Sequence, residues 1–343
     1  MTAAIDLAEV ERRFLRHVWF PVARSEDLTD AVLPGRVLGV DLVVYRHEGT
    51  AVVAAGRCPH RGVAMWLGRT VAQGIECPYH GWVFAPKTGE CVAVPSLPEG
   101  GAIGHIQLTT YPVTEAYGHV WTSLAEPYLP LPELTIEPDA GWAFSHGVPH
   151  DLRCGMRQLT ENFRDIAHFP FVHSGSMGPN VCRVVDPYRV TRQGWSLEWE
   201  MTTDLGGSAL DGTAALANQI RLIHGVALPM AATVRTRFPD GGRRFLAQFA
   251  TPLDEDGQRV RLFWTLGIDR IVREVHGVDM DRMWAYEQQI FEEDYPIVEN
   301  QVPVEAPLDL HTQKHTAADR YSIVYRKAYV ELLHRFHADA GAS

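Results

Sequence analysis

Two short stretches of this 343-residue chain bring together residue types that bind metals. Cys58-Pro-His60 is followed, after sixteen residues, by Cys77-Pro-Tyr-His80. Each stretch puts one thiolate and one imidazole on a tight loop, and two such loops can hold a metal centre between them. Four ligands of the Cys₂His₂ type have two readings: a tetrahedral structural zinc, or a two-iron, two-sulfur cluster with both Cys on one iron and both His on the other. Zinc sites commonly pair Cys with Cys and His with His, whereas here each loop carries one of each, which suits two differently ligated irons. Gly62 and Gly81 follow the ligand pairs closely and let backbone N–H groups approach the sulfurs.

A second set lies in Glu161-Asn-Phe-Arg-Asp-Ile-Ala-His-Phe-Pro-Phe-Val-His173. If Thr160 to Phe169 is helical, Asp165 and His168 share a face, Pro170 ends the helix and His173 folds back from the following turn. Two neutral imidazoles with open positions suit Fe(II) once a carboxylate completes the face. A His pair at this spacing is weak by itself, since surface or satisfied core histidines are commoner.

The two motifs together resemble the Rieske non-haem iron oxygenases. CPHRG…ECPYHGWVF is similar to the family's C-x-H…C-x-x-H motif, and Val94-Pro-Ser-Leu-Pro98 to the proline loop that covers its cluster. NFRDIAHFPFVH resembles the signature N-x-x-D-x-x-H-x₄-H. The resemblance implies Cys58, His60, Cys77 and His80 as ligands of a [2Fe–2S] cluster, and His168 and His173 as ligands of a mononuclear Fe(II). It implies Asp294, in the similar pattern E-D-x-x-I-V-E-x-Q, as the third ligand, leaving Glu292, Glu293 and Glu299 as acids on a solvated helix face. Asn162 matches a position near the iron. Asp165 matches a carboxylate that links the two metal sites across a subunit boundary.

The elements that position these residues follow from texture. Leu7 to Val18 reads as an amphipathic helix. Short apolar runs from Trp19 to Leu124, such as Arg36 to Val40, Leu42 to Arg46 and Ala51 to Ala55, predict a small antiparallel β domain. Glu126 to Pro138, with Pro127, Pro130 and Pro132, reads as a linker. Helix is expected over Leu159 to Phe171, Met280 to Phe291 and Ala317 to His337. Strands are expected over Tyr188 to Met201, Ala231 to Arg237, Phe245 to Thr251 and Val260 to Ile268. The fold class is therefore α+β: a Rieske domain over 19–125 and a larger antiparallel-sheet-and-helix domain, helix-grip or START-like by resemblance, over 126–343 with helix 1–18. Ala209 to Ile223 is uncommitted, and Ala209 to His224 is a candidate lid over a pocket walled by strands between Leu197 and Trp264. Cys91 is read as core, and His311, His315, His334 and His337 as exposed helix histidines.

Composition narrows the partners. The chain holds 31 Lys and Arg against 42 Asp and Glu, a net charge of -11, which argues against nucleic acid and anionic membranes as partners. No apolar run is long enough to span a bilayer and no signal-peptide pattern opens the chain. Five cysteines, an odd number, argue against a disulfide framework and for a reducing cytoplasm. The resemblance implies a terminal oxygenase forming a homotrimer, with O₂ cleaved and oxygen inserted into an organic substrate. No dinucleotide-binding glycine motif is present, so electrons must come from a separate NAD(P)H-dependent reductase, with or without a ferredoxin. Hydroxylation or oxidative demethylation of a mainly apolar aromatic or polycyclic compound is expected. The other readings are cis-dihydroxylation, a Rieske electron carrier with a degenerate second domain, and a zinc-stabilised binding module.

Overall fold

The computed structural model describes residues 5–99, 101–138, 141–177, 181–203 and 220–341. The chain forms two compact units: residues 11–131 with 251–256, and residues 1–10 with 132–250 and 257–343. Helix α1 (Leu7–Leu15) stops before Val18, short of the predicted length.

The first unit is built from ten short strands: β1 (Phe20–Arg24), β2 (Leu33–Val37), β3 (Val40–His47), β4 (Thr50–Ala55), β5 (Arg69–Val71), β6 (Gly74–Glu76), β7 (Val83–Phe84), β8 (Cys91–Ala93), β9 (Val113–Ala116) and β10 (His119–Thr122). They form three antiparallel sheets, ordered β1-β10-β9, β2-β3-β4 and β5-β6-β7-β8. The run Arg36 to Val40 is not one strand. Leu38 and Gly39 have φ of 48° and 79° and turn the chain between β2 and β3, the backbone of a tight hairpin. Val43, Tyr45, Val52, Met65, Ile75 and Phe84 make a core that also takes in Cys58, Cys77 and Cys91. Cys91 is thus a core residue.

The second unit contains β11 (Ala143–His146), β12 (His150–Leu152), helices α2 (Met156–Asn162) and α3 (Phe169–Val172), β13 (Thr191–Gln193), β14 (Ser196–Thr203), β15 (Ile220–Ala227), β16 (Ala231–Arg237), β17 (Arg243–Pro252), β18 (Val260–Ile268), and helices α4 (Met280–Val298) and α5 (Arg320–Gly341). Its strands form one eight-stranded sheet, ordered β11-β18-β17-β16-β15-β14-β13, with β12 also pairing β18. The mix of antiparallel sheets and helices is the α+β class that the sequence implied. No helix among the described residues is long and apolar enough to cross a membrane.

In this unit five expectations change. The stretch Tyr188 to Met201 holds two strands, because Gly194 takes φ 58° and reverses the chain. Residues 220–224 are part of β15 rather than a lid; the rest of that segment, 209–219, lies outside the described residues. Helix α4 continues past Phe291 to Val298, and α5 begins at Arg320 after a 3₁₀ turn at 317–319. Helix does not run through Leu159 to Phe171. It breaks after Asn162 and resumes at Phe169, with Pro170 in the first turn of α3 rather than at the end of α2. A proline is tolerated in the first turn, where its missing N–H has no partner to lose.

Candidate metal centres

In the first unit the two Cys-His loops are near copies of each other. Gly62 N–H donates to Cys58 O (2.8 Å) and Cys58 N–H to Val63 O (2.9 Å). In the same way Gly81 N–H donates to Cys77 O (3.1 Å) and Cys77 N–H to Trp82 O (2.8 Å). Gly62 and Gly81 have φ of 69° and 68°, a left-handed backbone that few other residues adopt. A Cβ on Gly81 would stand 3.1 Å from Pro95, so the proline loop lies directly against the second Cys-His loop.

The loops bring all four predicted residues together. Cys58 and Cys77 are each 2 % exposed, and the rings of His60 and His80 lie 4.7 Å apart. His60 stacks flat on Trp82 at 4.2 Å. Burial pushes the Cys58 thiol up to about 11, the neighbouring Cys77 adds to the rise, and the backbone N–H groups of His60 and Arg61 oppose it. His60 Nδ1 is buried without a hydrogen-bond partner. Two dry thiols and an orphaned imidazole nitrogen fit a set that ionises and is satisfied when a metal group binds.

The second set is drawn from three places in the other unit. The turn after α2 carries Asp165 and His168, the end of α3 carries His173, and α4 carries Asp294. His168 Nε2 lies 3.1 Å from His173 Nε2. Asp294 Oδ1 is 3.5 Å from the first and 3.4 Å from the second. These three side chains are the group among the described residues whose His, Cys, Asp and Glu ligand atoms converge in this way.

The outer nitrogens fix what the inner ones offer. His168 Nδ1–H donates to Asp165 Oδ2 (3.1 Å), and His173 Nδ1–H donates to Glu293 Oε2 (2.9 Å). With protons held on both Nδ1 atoms, each Nε2 presents a lone pair. Two lone pairs and a carboxylate oxygen then face one another, which is repulsive unless a cation sits between them. The donor set of two imidazoles and one carboxylate with open positions fits Fe(II). Asn162 Nδ2 donates to Asp294 Oδ1 at 3.2 Å and so orients the carboxylate.

Electrostatics agree. Burial works against a charge on His173, but Asp294 and then Glu293 more than offset it and raise its pKa. Burial also works to raise Asp165, yet the hydrogen bond and charge of His168 and the backbone N–H of Ala167 hold it below its ordinary value. The Ala167 contact, 2.8 Å to Asp165 Oδ1, is also why the helix stops. A short acidic side chain takes over a backbone donor and favours a turn.

Two of the acids expected on a solvated helix face, Glu293 and Glu299, have partners instead. Besides His173, Glu293 accepts from Ser176 Oγ (2.7 Å) and Gln289 Nε2 (3.3 Å). Glu299 also has a role, accepting from Arg153 N–H at 2.9 Å. Once α4 is extended to Val298, the signal for Glu293 is visible: an acid beside the ligand-type Asp294 can reach the imidazole that the ligand faces.

A narrow cavity opens over the three atoms. Phe163, Phe169, Met177, Leu222, Val234 and Ile290 form its apolar walls, with His224, Arg244 and Glu287 as further polar members. Its strand residues come from β15, β16 and β17, within the range read as pocket wall.

Comparison with known proteins agrees with this geometry. The Rieske [2Fe-2S] domain family matches residues 18–112. The vanillate O-demethylase oxygenase C-terminal domain family matches residues 152–335, more than half of the chain. Cholesterol 7-desaturase of Caenorhabditis elegans is 28 % identical, over 87 % of this chain and 74 % of its own. Methylxanthine N3-demethylase NdmB of Pseudomonas putida is 24 % identical, over 94 % and 90 %. The structure of Pseudomonas putida CBB5 NdmA with caffeine shares the fold, with a TM-score of 0.80 at 23 % identity, covering 93 % of this chain and 91 % of that one. A Rieske domain followed by an oxygenase domain, each containing a convergent set of ligand-type side chains, makes this chain a member of the Rieske non-haem iron oxygenases, with a [2Fe–2S] cluster and a mononuclear iron as its cofactors.

Proposed function

We propose that this oxygenase hydroxylates or oxidatively demethylates a compact, mainly apolar aromatic compound, with electrons supplied by a separate NAD(P)H-dependent reductase. One observation carries the reading: three acceptor atoms, His168 Nε2, His173 Nε2 and Asp294 Oδ1, converge beneath an apolar cavity. When bound, the cluster supplies single electrons and the mononuclear iron supplies reductive O₂ chemistry.

The chain's own residues do the rest. Cys58, His60, Cys77 and His80 hold the cluster, and His168, His173 and Asp294 hold the iron. Asp165 and Glu293 keep the two imidazoles in one tautomer and one orientation. Asn162 restrains Asp294, and the Phe, Leu, Val and Ile walls exclude water from the reacting carbon. The cavity measures about 50 Å³, narrower than a bound ring requires, so admission depends on pliable lining such as Met177. The demethylase and desaturase activities named for the relatives support oxidation of an organic substrate. An electron carrier would have no use for a second, separately buried ligand set.

A division of labour follows, with 19–125 as the electron-accepting domain and 126–343, with 1–18, as the catalytic one. We also read the working form as a homotrimer in which Asp165 bridges to a cluster histidine of a neighbouring subunit. The support is that its side chain, although bound to His168, keeps 39 % exposure.

Asp294→Ala tests the function. The expected result is unchanged cluster absorption, loss of non-cluster iron, and no substrate-dependent O₂ uptake with a surrogate reductase. Wild-type non-cluster iron in that variant would remove Asp294 from the ligand set.

A further inference from the structure

One polar group in the cavity is left without a task. His224, on β15, is 0 % exposed, and neither ring nitrogen has a hydrogen-bond partner. Its ring lies flat on Trp199, with 4.4 Å between centroids and 4° between planes, so it is held in place rather than free to turn outward. It lines the same cavity as His168, His173 and Asp294.

A buried imidazole with both nitrogens unpaired costs stability, and native interiors seldom tolerate it without a function. Burial, with the nearby Arg164 guanidinium, holds the His224 pKa well below the ordinary imidazole range. The ring is therefore neutral and offers one N–H and one lone pair.

The charged groups around it are engaged. Arg244 is paired with Glu287 at 2.6 Å. Arg164 donates to the carbonyls of Phe163, Gly225 and Thr233. The cavity's guanidinium, Arg244, already faces the Glu287 carboxylate in the same wall, so a substrate carboxylate would be buried beside a second anion, which is unfavourable.

We propose that His224 determines substrate choice by hydrogen-bonding a neutral polar substituent, such as a hydroxyl, an amide N–H or a carbonyl, on the substrate ring. The contact orients the remaining part of the ring toward the iron site and disfavours aromatic carboxylates. It rests on the oxygenase reading and deepens it. A substrate lacking the substituent leaves His224 unpaired, and sites built to hydrogen-bond a group discriminate strongly against its absence.

The test is anaerobic calorimetric titration of protein whose iron content and cluster spectrum have been recorded, using 4-methoxyphenol, anisole and 4-methoxybenzoate. 4-Methoxyphenol is expected to bind about ten-fold tighter than anisole, the value of roughly one good hydrogen bond, with 4-methoxybenzoate weakest. His224→Phe keeps the stack on Trp199. It should bring the phenol-to-anisole ratio within about two-fold while the melting temperature holds or rises, because an unpaired polar group is gone. His224→Asn should restore part of the ratio. Tightest binding of 4-methoxybenzoate, equal affinities in the wild type, or an unchanged ratio in His224→Phe would overturn the proposal. Iron separates the two readings. Protein without non-cluster iron counts against the oxygenase, whereas iron-loaded protein with equal phenol and anisole affinities counts against His224 alone.

Discussion

Each imidazole at the mononuclear site has a carboxylate on its far nitrogen, and the two carboxylates differ in surroundings. Glu293 is 22 % exposed at the side chain and collects hydrogen bonds from His173, Ser176 and Gln289, whereas Asp165 is more open and serves His168. Glu293 therefore acts as a fixed brace for the more deeply buried ligand, since His173 is 1 % exposed. Such outer partners typically contribute ~10–100-fold in metal affinity. Glu293→Gln keeps the shape and an acceptor oxygen but removes the charge. Iron competition with a chelator is expected to show about ten-fold weaker retention of the mononuclear iron, with the cluster spectrum unaltered. Equal iron retention in variant and wild type would reduce Glu293 to a bystander.

At the scale of elements, the site depends on how α2, α4 and α5 are tied together. Glu161, on α2, accepts from Arg326 Nε (2.6 Å) and Nη2 (2.7 Å) on α5, and both side chains are less than a tenth exposed. Arg326 also donates to Pro307 O and Gln313 Oε1. The pair stands one residue before Asn162 and so anchors the turn that carries Asp165 and His168. Arg244–Glu287 does the same between β17 and α4 at 2.6 Å, seven residues before Asp294. Along α5, Tyr321, Tyr325 and Tyr329 recur every four residues and stack ring to ring, and Tyr325 Oη donates to Pro229 O at 2.7 Å. Removing one member of a buried pair leaves an uncompensated charge, at a cost of ~3–5 kcal/mol. Arg326→Leu should destabilise the protein by about that amount in denaturant unfolding and lower its iron occupancy. A change under ~0.5 kcal/mol, typical of a surface site, would show that the pair does not anchor the turn.

The whole molecule has to move electrons between two centres that lie in different units of the chain. Asp165 is the residue through which we propose that a neighbouring subunit's cluster is reached. Asp165→Asn keeps size and removes charge. The expected protein is folded, coloured, iron-loaded and trimeric by light scattering, with a cluster that can be reduced but is reoxidised far more slowly than in the wild type. Single-turnover mixing of reduced protein with O₂ and a turned-over substrate reads this directly. Wild-type reoxidation rates would end the bridging role, and a monomeric wild type would end the trimer.

The ligand-type loops were legible in the sequence, because ligand spacing within a loop is a local property. C-x-H and C-x-x-H loops, each closed by a glycine at positive φ, leave the backbone little choice, and the rings of His60 and His80 lie 4.7 Å apart. The strands Ala231 to Arg237 and Val260 to Ile268 were equally legible, since an apolar run between turns needs only neighbours in the chain, although both are buried or half-buried along their whole length rather than on alternate residues. Long-range placement was legible only where the resemblance supplied it, as for Asp294. Asp294 stands more than a hundred residues from His173, and only packing of α4 under the sheet shows that Glu293 shares its site. The break after Asn162 was hidden too, because helix texture continues through it while Asp165 captures the Ala167 N–H. His224 read as the last residue of a candidate lid. Its place in the wall of the cavity that holds the iron ligands, with neither ring nitrogen hydrogen-bonded, emerges in the folded chain, because burial is a property of what the rest of the chain packs around a side chain.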